Sequence, residues 1–199
     1  MFRKFFYLLI AILFYSQSTR ATDVASAQSF IEDLGRRAFA SLTKPGVSQT
    51  ALESNFQSLL EEGFDIQAIG KFVMGRYWKQ MSPDQQSRFI PLFESRLVKS
   101  YANRFQEYSG VNFIVKDVRQ EGGHFIVSST IQKPGGPITP VDWRVERGKI
   151  HDVKVEGVSM SITIRDEYSA LVQSNNGNIE SFLNALGGSG QRSDAGSGG

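Results

Sequence analysis

The chain has no cysteine, which excludes disulfides, thiolate metal ligands and Cys–His nucleophilic pairs. Histidine is nearly as scarce, with only His124 and His151 in 199 residues. A zinc site would need carboxylates for most of its ligands, and neither HxxxH nor HxxE spacing occurs. Beyond residue 21 no run of Lys and Arg exceeds two residues, so the clustered cations that grip phosphate backbones are missing. The glycine pairs Gly122-Gly123 and Gly135-Gly136 sit in turns and match no phosphate-binding loop. Nucleic acid, a resident metal and nucleotide cofactors are therefore not expected.

What is present begins with a basic Met1-Phe2-Arg3-Lys4 followed by an uncharged apolar run from Phe5 to Tyr15. That is the layout of a signal peptide and too short to span a bilayer. Thr19-Arg20-Ala21 offers small residues for cleavage after Ala21, and Ala25-Ser26-Ala27 is a second candidate. Cleavage at the first removes Arg3, Lys4 and Arg20, lowering 22 basic residues to 19 against 20 acidic ones. The basic balance then disappears. An exported chain without cysteine relies on its core alone, and the 178 residues left when 21 are removed from 199 suffice for one domain.

From Ser26 to Tyr108 apolar residues recur three and four apart, the period of amphipathic helices. Phe30, Leu34, Ala38 and Leu42 share a face of a first helix ended by Lys44-Pro45-Gly46. Thr50-Ala51-Leu52-Glu53 spells a capping box near a second start, and Asp65 can cap a third helix. Ser82-Pro83-Asp84-Gln85 opens a long fourth helix, with Ser as N-cap, Pro at the first helical position and Gln reaching back. Its stripe is Phe89, Phe93, Leu97, Tyr101, Phe105 and Tyr108, and Pro91 is early enough to bend it without ending it.

After Ser109-Gly110 the period becomes two. Val111–Val118, Phe125–Gln132, Ile138–Arg147 and Lys149–Val155 read as four strands separated by short turns, which predicts an antiparallel meander. Val158–Gln173 and Asn178–Leu186 return to the helical period. The expected architecture is α+β: a helical N-terminal half and C-terminal helices covering a four-stranded antiparallel meander sheet, with an apolar cavity between helices and sheet. The expected organisation is a signal peptide over 1–21, one domain over 22–186, and a disordered Gly/Ser-rich tail over 187–199.

Ser159 follows Gly157 at a strand-to-helix junction, which admits two readings. One is the nucleophile elbow of a secreted esterase; the other is a helix cap at a hinge. An elbow places its nucleophile between two glycines, and the run Gly157-Val158-Ser159-Met160-Ser161 lacks the second. His151 stands only eight residues upstream in a strand, and His124 follows a Gly-Gly turn. The cap is the favoured reading and the chain is read as non-enzymatic, with no catalytic residue assigned.

Aromatic residues are the surplus. Beyond residue 21 there are 11 Phe, 4 Tyr and 2 Trp, and most lie before residue 110. Flat rings over a sheet whose inward positions include Val127, Ile131, Trp143 and Val145 can enclose an apolar pocket between layers.

Five spellings then occur in order: Gly75-Arg76-Tyr77-Trp78-Lys79; Ser82-Pro83 with a Gln-rich helix start; Glu107-Tyr108-Ser109-Gly110; Val141-Asp142-Trp143-Arg144; and Val155-Glu156-Gly157-Val158-Ser159-Met160. Together they resemble the MlaC family, also called the Ttg2D or toluene-tolerance family of periplasmic lipid carriers, over roughly Ser26 to Leu186. The resemblance implies a soluble periplasmic protein that holds phospholipid acyl chains as cargo. It also implies transfer between an outer-membrane lipoprotein complex and an inner-membrane ABC transporter bearing an MCE-domain subunit. A related branch encoded with hopanoid biosynthesis enzymes makes a hopanoid the alternative cargo. On this reading the pocket is lined by Phe72, Val73, Tyr77, Trp78, Phe93, Leu97, Tyr101, Phe105, Trp143, Val145, Val158 and Met160. Arg76 and Lys79 are candidates to meet a lipid phosphate or an acidic partner surface.

Overall fold

The structure, a computed structural model, describes residues 23–188. The segment read as a signal peptide, and the tail beyond Gly188, lie outside the described residues. The first helix, α1, runs over 23–42 and stops before Lys44-Pro45-Gly46. Gly46 has a positive φ of 76°, a conformation that glycine adopts without steric cost. Helix α2 spans Gln49–Gly63, and its N-cap is Ser48, whose side chain accepts from the Ala51 amide. The cap therefore lies two residues before the Thr50 expected from the capping-box spelling, because Ser48 takes the first orphan amide.

Helix α3 (Ile66–Met74) starts at Asp65, whose Oδ1 accepts from Ala68 N at 2.8 Å. Gly75 ends it with φ 52° and ψ −120°, and a 3-10 turn over Gly75–Gln80 follows. Helix α4 (Pro83–Tyr101) opens on the complete capping box of Ser82 and Gln85 and carries Pro91 without ending. It tightens into a 3-10 segment over Ala102–Tyr108, so the expected single stripe changes pitch at Ala102.

The strands are β1 (Asn112–Glu121), β2 (His124–Gln132), β3 (Ile138–Glu146) and β4 (Lys149–Val155). A fifth, β5, comprises Val158–Ser159. All neighbours pair antiparallel in the order β1-β2-β3-β4-β5. The sequence pattern predicts four strands, and β5 adds a fifth because two residues are too few to show alternation. Helices α5 (Met160–Ser174) and α6 (Ile179–Gly188) close the described chain, and α6 continues through Gly187 and Gly188, which were read as tail.

Two apolar clusters result. The helical one gathers Leu52, Leu60, Val73, Phe89, Phe93, Val172 and Phe182 with their neighbours. At its centre Phe89 stacks on Phe93 at 5.6 Å, with Tyr168 edge-on to both and Phe182 beside them. The second lies between α1 and the sheet: Ala27, Ile31 and Leu34 against Val127, Val145 and Ile150. Helix α1 serves both, since Ala38 and Leu42 near its end join the helical cluster. Close approach depends on two glycines. A Cβ on Gly35 would fall 2.3 Å from the Phe113 ring, and one on Gly63 would fall 2.6 Å from Leu34. The helical layer is joined to β4 by an isolated bridge between Phe64 and Ile150 and by Asp65 N donating to Ile150 O at 3.0 Å.

Candidate functional site

The seam between the two clusters is lined by rings. Phe56 meets Phe105 at 5.6 Å, Phe105 meets Phe39 at 6.3 Å, Phe39 meets Phe113 at 5.6 Å, and Phe113 meets Trp143 edge-on at 6.4 Å. This series crosses from α2 and the 3-10 segment after α4, through α1, onto β1 and β3. All five rings are half-buried, in contrast to the sealed Phe89–Phe93–Phe182 knot. Half-buried rings along a layer boundary are an apolar lining that further apolar matter can complete. Leu59 and Phe64 pack against both clusters and so also sit on the seam.

The sheet side is oriented by hydrogen bonds. Trp143 Nε1 donates to Ser129 Oγ at 2.8 Å, and Ser129 Oγ donates to Val141 O at 3.2 Å. The indole is thereby fixed with its body toward the apolar face, where it pairs with Val127 and Val153 across neighbouring strands. Val145 is 2% exposed and belongs to this cluster with Trp143. Ile131 faces the same way, opposite Phe113 on β1.

The other expected lining residues distribute as follows. Val73, Tyr77 and Phe93 are buried in the helical cluster, and Trp78, Leu97 and Phe105 pack against it. Tyr101 is half-buried with the Arg104 guanidinium 5.4 Å from its ring centre, and burial raises its pKa. Met160 is half-buried as the first residue of α5. Phe72 is exposed beneath the Arg165 guanidinium, and Val158 is 60% exposed on β5. Arg76 lies over the Tyr77 ring and donates to its hydroxyl at 2.9 Å. The structure thus gathers Trp143 and Val145 on the sheet side and Phe105 on the seam. Val73, Tyr77 and Phe93 lie within the helical core.

Residues on the seam that periodicity missed are Phe39 and Phe113. Phe39 falls off the Phe30–Leu34–Ala38–Leu42 face, and Phe113 sits in a strand with no strong alternation. The one available signal was the excess of aromatics itself.

At the junction, Ser159 is the N-cap of α5, accepting from Ile162 N at 3.2 Å. Its hydroxyl donates to Asp152 Oδ2 at 2.6 Å. His151 Nε2 lies 3.7 Å from Asp65 Oδ2, and the Arg144 guanidinium donates to the His151 carbonyl at 3.4 Å. Ser159 is 7% exposed. Among the described residues no group of three His, Asp or Glu is placed to hold a metal ion.

An open cleft of about 400 Å³ flanks the seam between α1 and α2, with Ala40 and Leu59 in its lining beside Arg37 and Glu62. Arg37 spans it: Nη1 and Nη2 donate to the two Glu62 oxygens at 2.7 and 2.5 Å, and Nε donates to Asp33 at 2.8 Å. The hydrogen bond from Arg37 holds the Glu62 carboxyl below the usual glutamate range, and the same contact raises the Arg37 pKa. Lys149 Nζ donates to the carbonyls of Glu61 and Glu62, tying the end of α2 to the start of β4.

These features define a class: an α+β protein in which helices cover one antiparallel sheet, with a ring-lined apolar seam between the layers. The chain belongs to the MlaC protein family, whose model matches residues 32–187. A toluene tolerance protein, Ttg2D, from Pseudomonas putida is 24% identical over 130 residues, covering 62% of this chain. The chain spans about 60% of that relative's length. A phospholipid-binding protein from Ralstonia solanacearum, solved in complex with a phospholipid, has the same fold with a TM-score of 0.71 at 22% identity. That match covers 80% of this chain and 94% of the other. No helix among the described residues is long and apolar enough to cross a membrane.

Proposed function

We propose that the protein is a non-enzymatic phospholipid carrier that holds acyl chains along the seam between helices and sheet. The observation that carries this reading is the continuous series of half-buried rings from Phe56 through Phe105, Phe39 and Phe113 to Trp143. The need for such a lining is large. Two acyl chains expose roughly thirty methylenes, each costing about 0.8 kcal/mol in water. A protein that carries them through an aqueous space must cover most of that surface.

Membership in the MlaC family and the likeness to a phospholipid-bound fold support the choice of cargo. On the same reading the protein is exported to the periplasm by the segment before residue 22. There it exchanges lipid with an inner-membrane MCE-domain ABC transporter and an outer-membrane lipoprotein complex. No cofactor is needed, since the lipid is cargo. The site residues we assign are Trp143, Val145 and Phe105 from the sequence, with Phe39 and Phe113 added by the structure.

The experiment is extraction of the purified protein followed by lipid mass spectrometry. Co-purified or exchangeable phospholipid in stoichiometric amount is expected, and its repeated absence would overturn the carrier reading.

A further inference from the structure

We propose that the cleft between α1 and α2 is a headgroup site for a zwitterionic phospholipid, with Arg37 taking the phosphodiester and Glu62 taking the ammonium. This rests on the carrier reading and names the part of the lipid that the seam leaves outside. Its position follows from Leu59, which lines the cleft and packs against both apolar clusters. A lipid whose chains lie along the seam therefore has its polar end within reach of this cleft.

The chemistry follows from how Arg37 is held. Its Nε is anchored to Asp33 on its own helix, one turn earlier. The Nη1 and Nη2 edge points across the cleft to both Glu62 oxygens. That edge is the two-donor fork which fits a phosphodiester as well as a carboxylate. Arg37 and Glu62 are both substantially exposed, with side chains 38% and 55% accessible. An exposed pair of this kind contributes little in water and opens at small cost.

A zwitterionic headgroup can replace the pair by partner exchange, since its phosphate satisfies Arg37 while its ammonium satisfies Glu62. Asn55 on the wall adds a neutral amide donor for glycerol and ester oxygens, while the Ser41 and Ser58 hydroxyls already donate to the Arg37 and Ser54 carbonyls. An anionic headgroup lacking an amine fills only half the site. It leaves Glu62 without a partner beside a phosphate, and like charges at close range oppose binding. Lys149 neutralises part of that repulsion, since its charge also lowers Glu62. The discrimination is therefore a preference and not an absolute exclusion.

The test uses the delipidated full chain, loaded at low salt from vesicles of equal phosphatidylethanolamine and phosphatidylglycerol with matched acyl chains. Bound lipid is read by native mass spectrometry. The wild type is expected to favour phosphatidylethanolamine about fivefold, the scale of one exposed charge contact. Glu62→Gln is expected to abolish that preference while retaining phosphatidylglycerol, and Arg37→Gln to reduce loading of both. Equal loading by the wild type, or an unchanged ratio in Glu62→Gln, overturns the headgroup site while leaving the carrier intact. Loading of neither lipid overturns the carrier reading and this site with it. If soluble glycerophosphoethanolamine binds as well as the lipid, the cleft is a small-molecule site and the lipid assignment fails. A purely structural role for the ion pair would lower the melting temperature of the variants and leave the headgroup ratio where it was.

Discussion

The Asp152 carboxylate lies within 2.6 Å of the Ser159 hydroxyl and ties strand β4 to the first residue before helix α5. Asp152 also accepts from the Ser161 amide at 3.0 Å and the Ser161 hydroxyl at 2.6 Å. All three residues are buried, so the carboxylate is satisfied from one side by the chain that leaves the sheet. Removing it leaves two hydroxyls and an amide without their acceptor. Asp152→Ala is expected to cost about 2–4 kcal/mol and Asp152→Asn less, since the amide keeps one acceptor oxygen. Urea unfolding checks both, and a loss below about 0.5 kcal/mol for Ala would remove this account of the junction.

Gly35 on α1 lies against the Phe113 ring, with room for no side chain. A bulky residue there has to lift α1 from the sheet or swing the ring out of the aromatic series. Gly35→Leu is expected to destabilise by about 1–3 kcal/mol in spite of its better helix propensity. It is also expected to change lipid loading, which lipid extraction measures. Unchanged loading would separate the α1–sheet contact from the cargo site.

Val145 and Leu97 distinguish the two sides of the seam, since Val145 belongs to the sheet cluster and Leu97 packs on the helical one. Each replaced by Trp fills space with a larger side chain at a cost of about 1–3 kcal/mol. Reduced loading with a cooperative thermal transition is expected for both. Loss in Val145→Trp alone would put the chains against the sheet, and loss in neither would move the cargo elsewhere.

Glu94 on α4 shares Gln57 with Glu61 on α2, the amide donating to Glu61 at 2.9 Å and to Glu94 at 3.0 Å. Burial, together with the neighbouring Glu61, raises the Glu94 pKa above the usual glutamate range. A raised carboxyl favours folding while protonated, and that contribution is lost as pH rises through the folded value. Glu94→Gln is therefore expected to raise the melting temperature at neutral pH and to have little effect at acidic pH, below the ordinary glutamate range. A pH-independent difference between the two proteins would remove Glu94 as the source.

Much of the architecture was legible in the chain because it is written in local chemistry. Asp65 and the Ser82–Gln85 box mark helix starts through side chains that reach amides three residues away. The change of period after Ser109-Gly110 marks the sheet, and turn residues set the meander. Ser159 was readable as a cap because an elbow needs a second glycine that is absent. The two-residue strand β5 and the cap at Ser48 escaped, since each is decided by which partner happens to be nearest.

The sequence by itself determined an α+β chain rich in rings and without the cysteines that thiol chemistry needs. Only the tertiary structure decided which of those rings are sealed and which line a seam. Phe93 and Phe105 belong to one helical stripe, yet one is closed into a knot with Phe89 and Phe182 while the other stands half-buried beside Phe39. Periodicity tells which face of an element is apolar, not what covers it. The cover is α1, held over the sheet by Ala27, Ile31 and Leu34 against Val127, Val145 and Ile150 and by Gly35 against Phe113, contacts between residues distant in the chain.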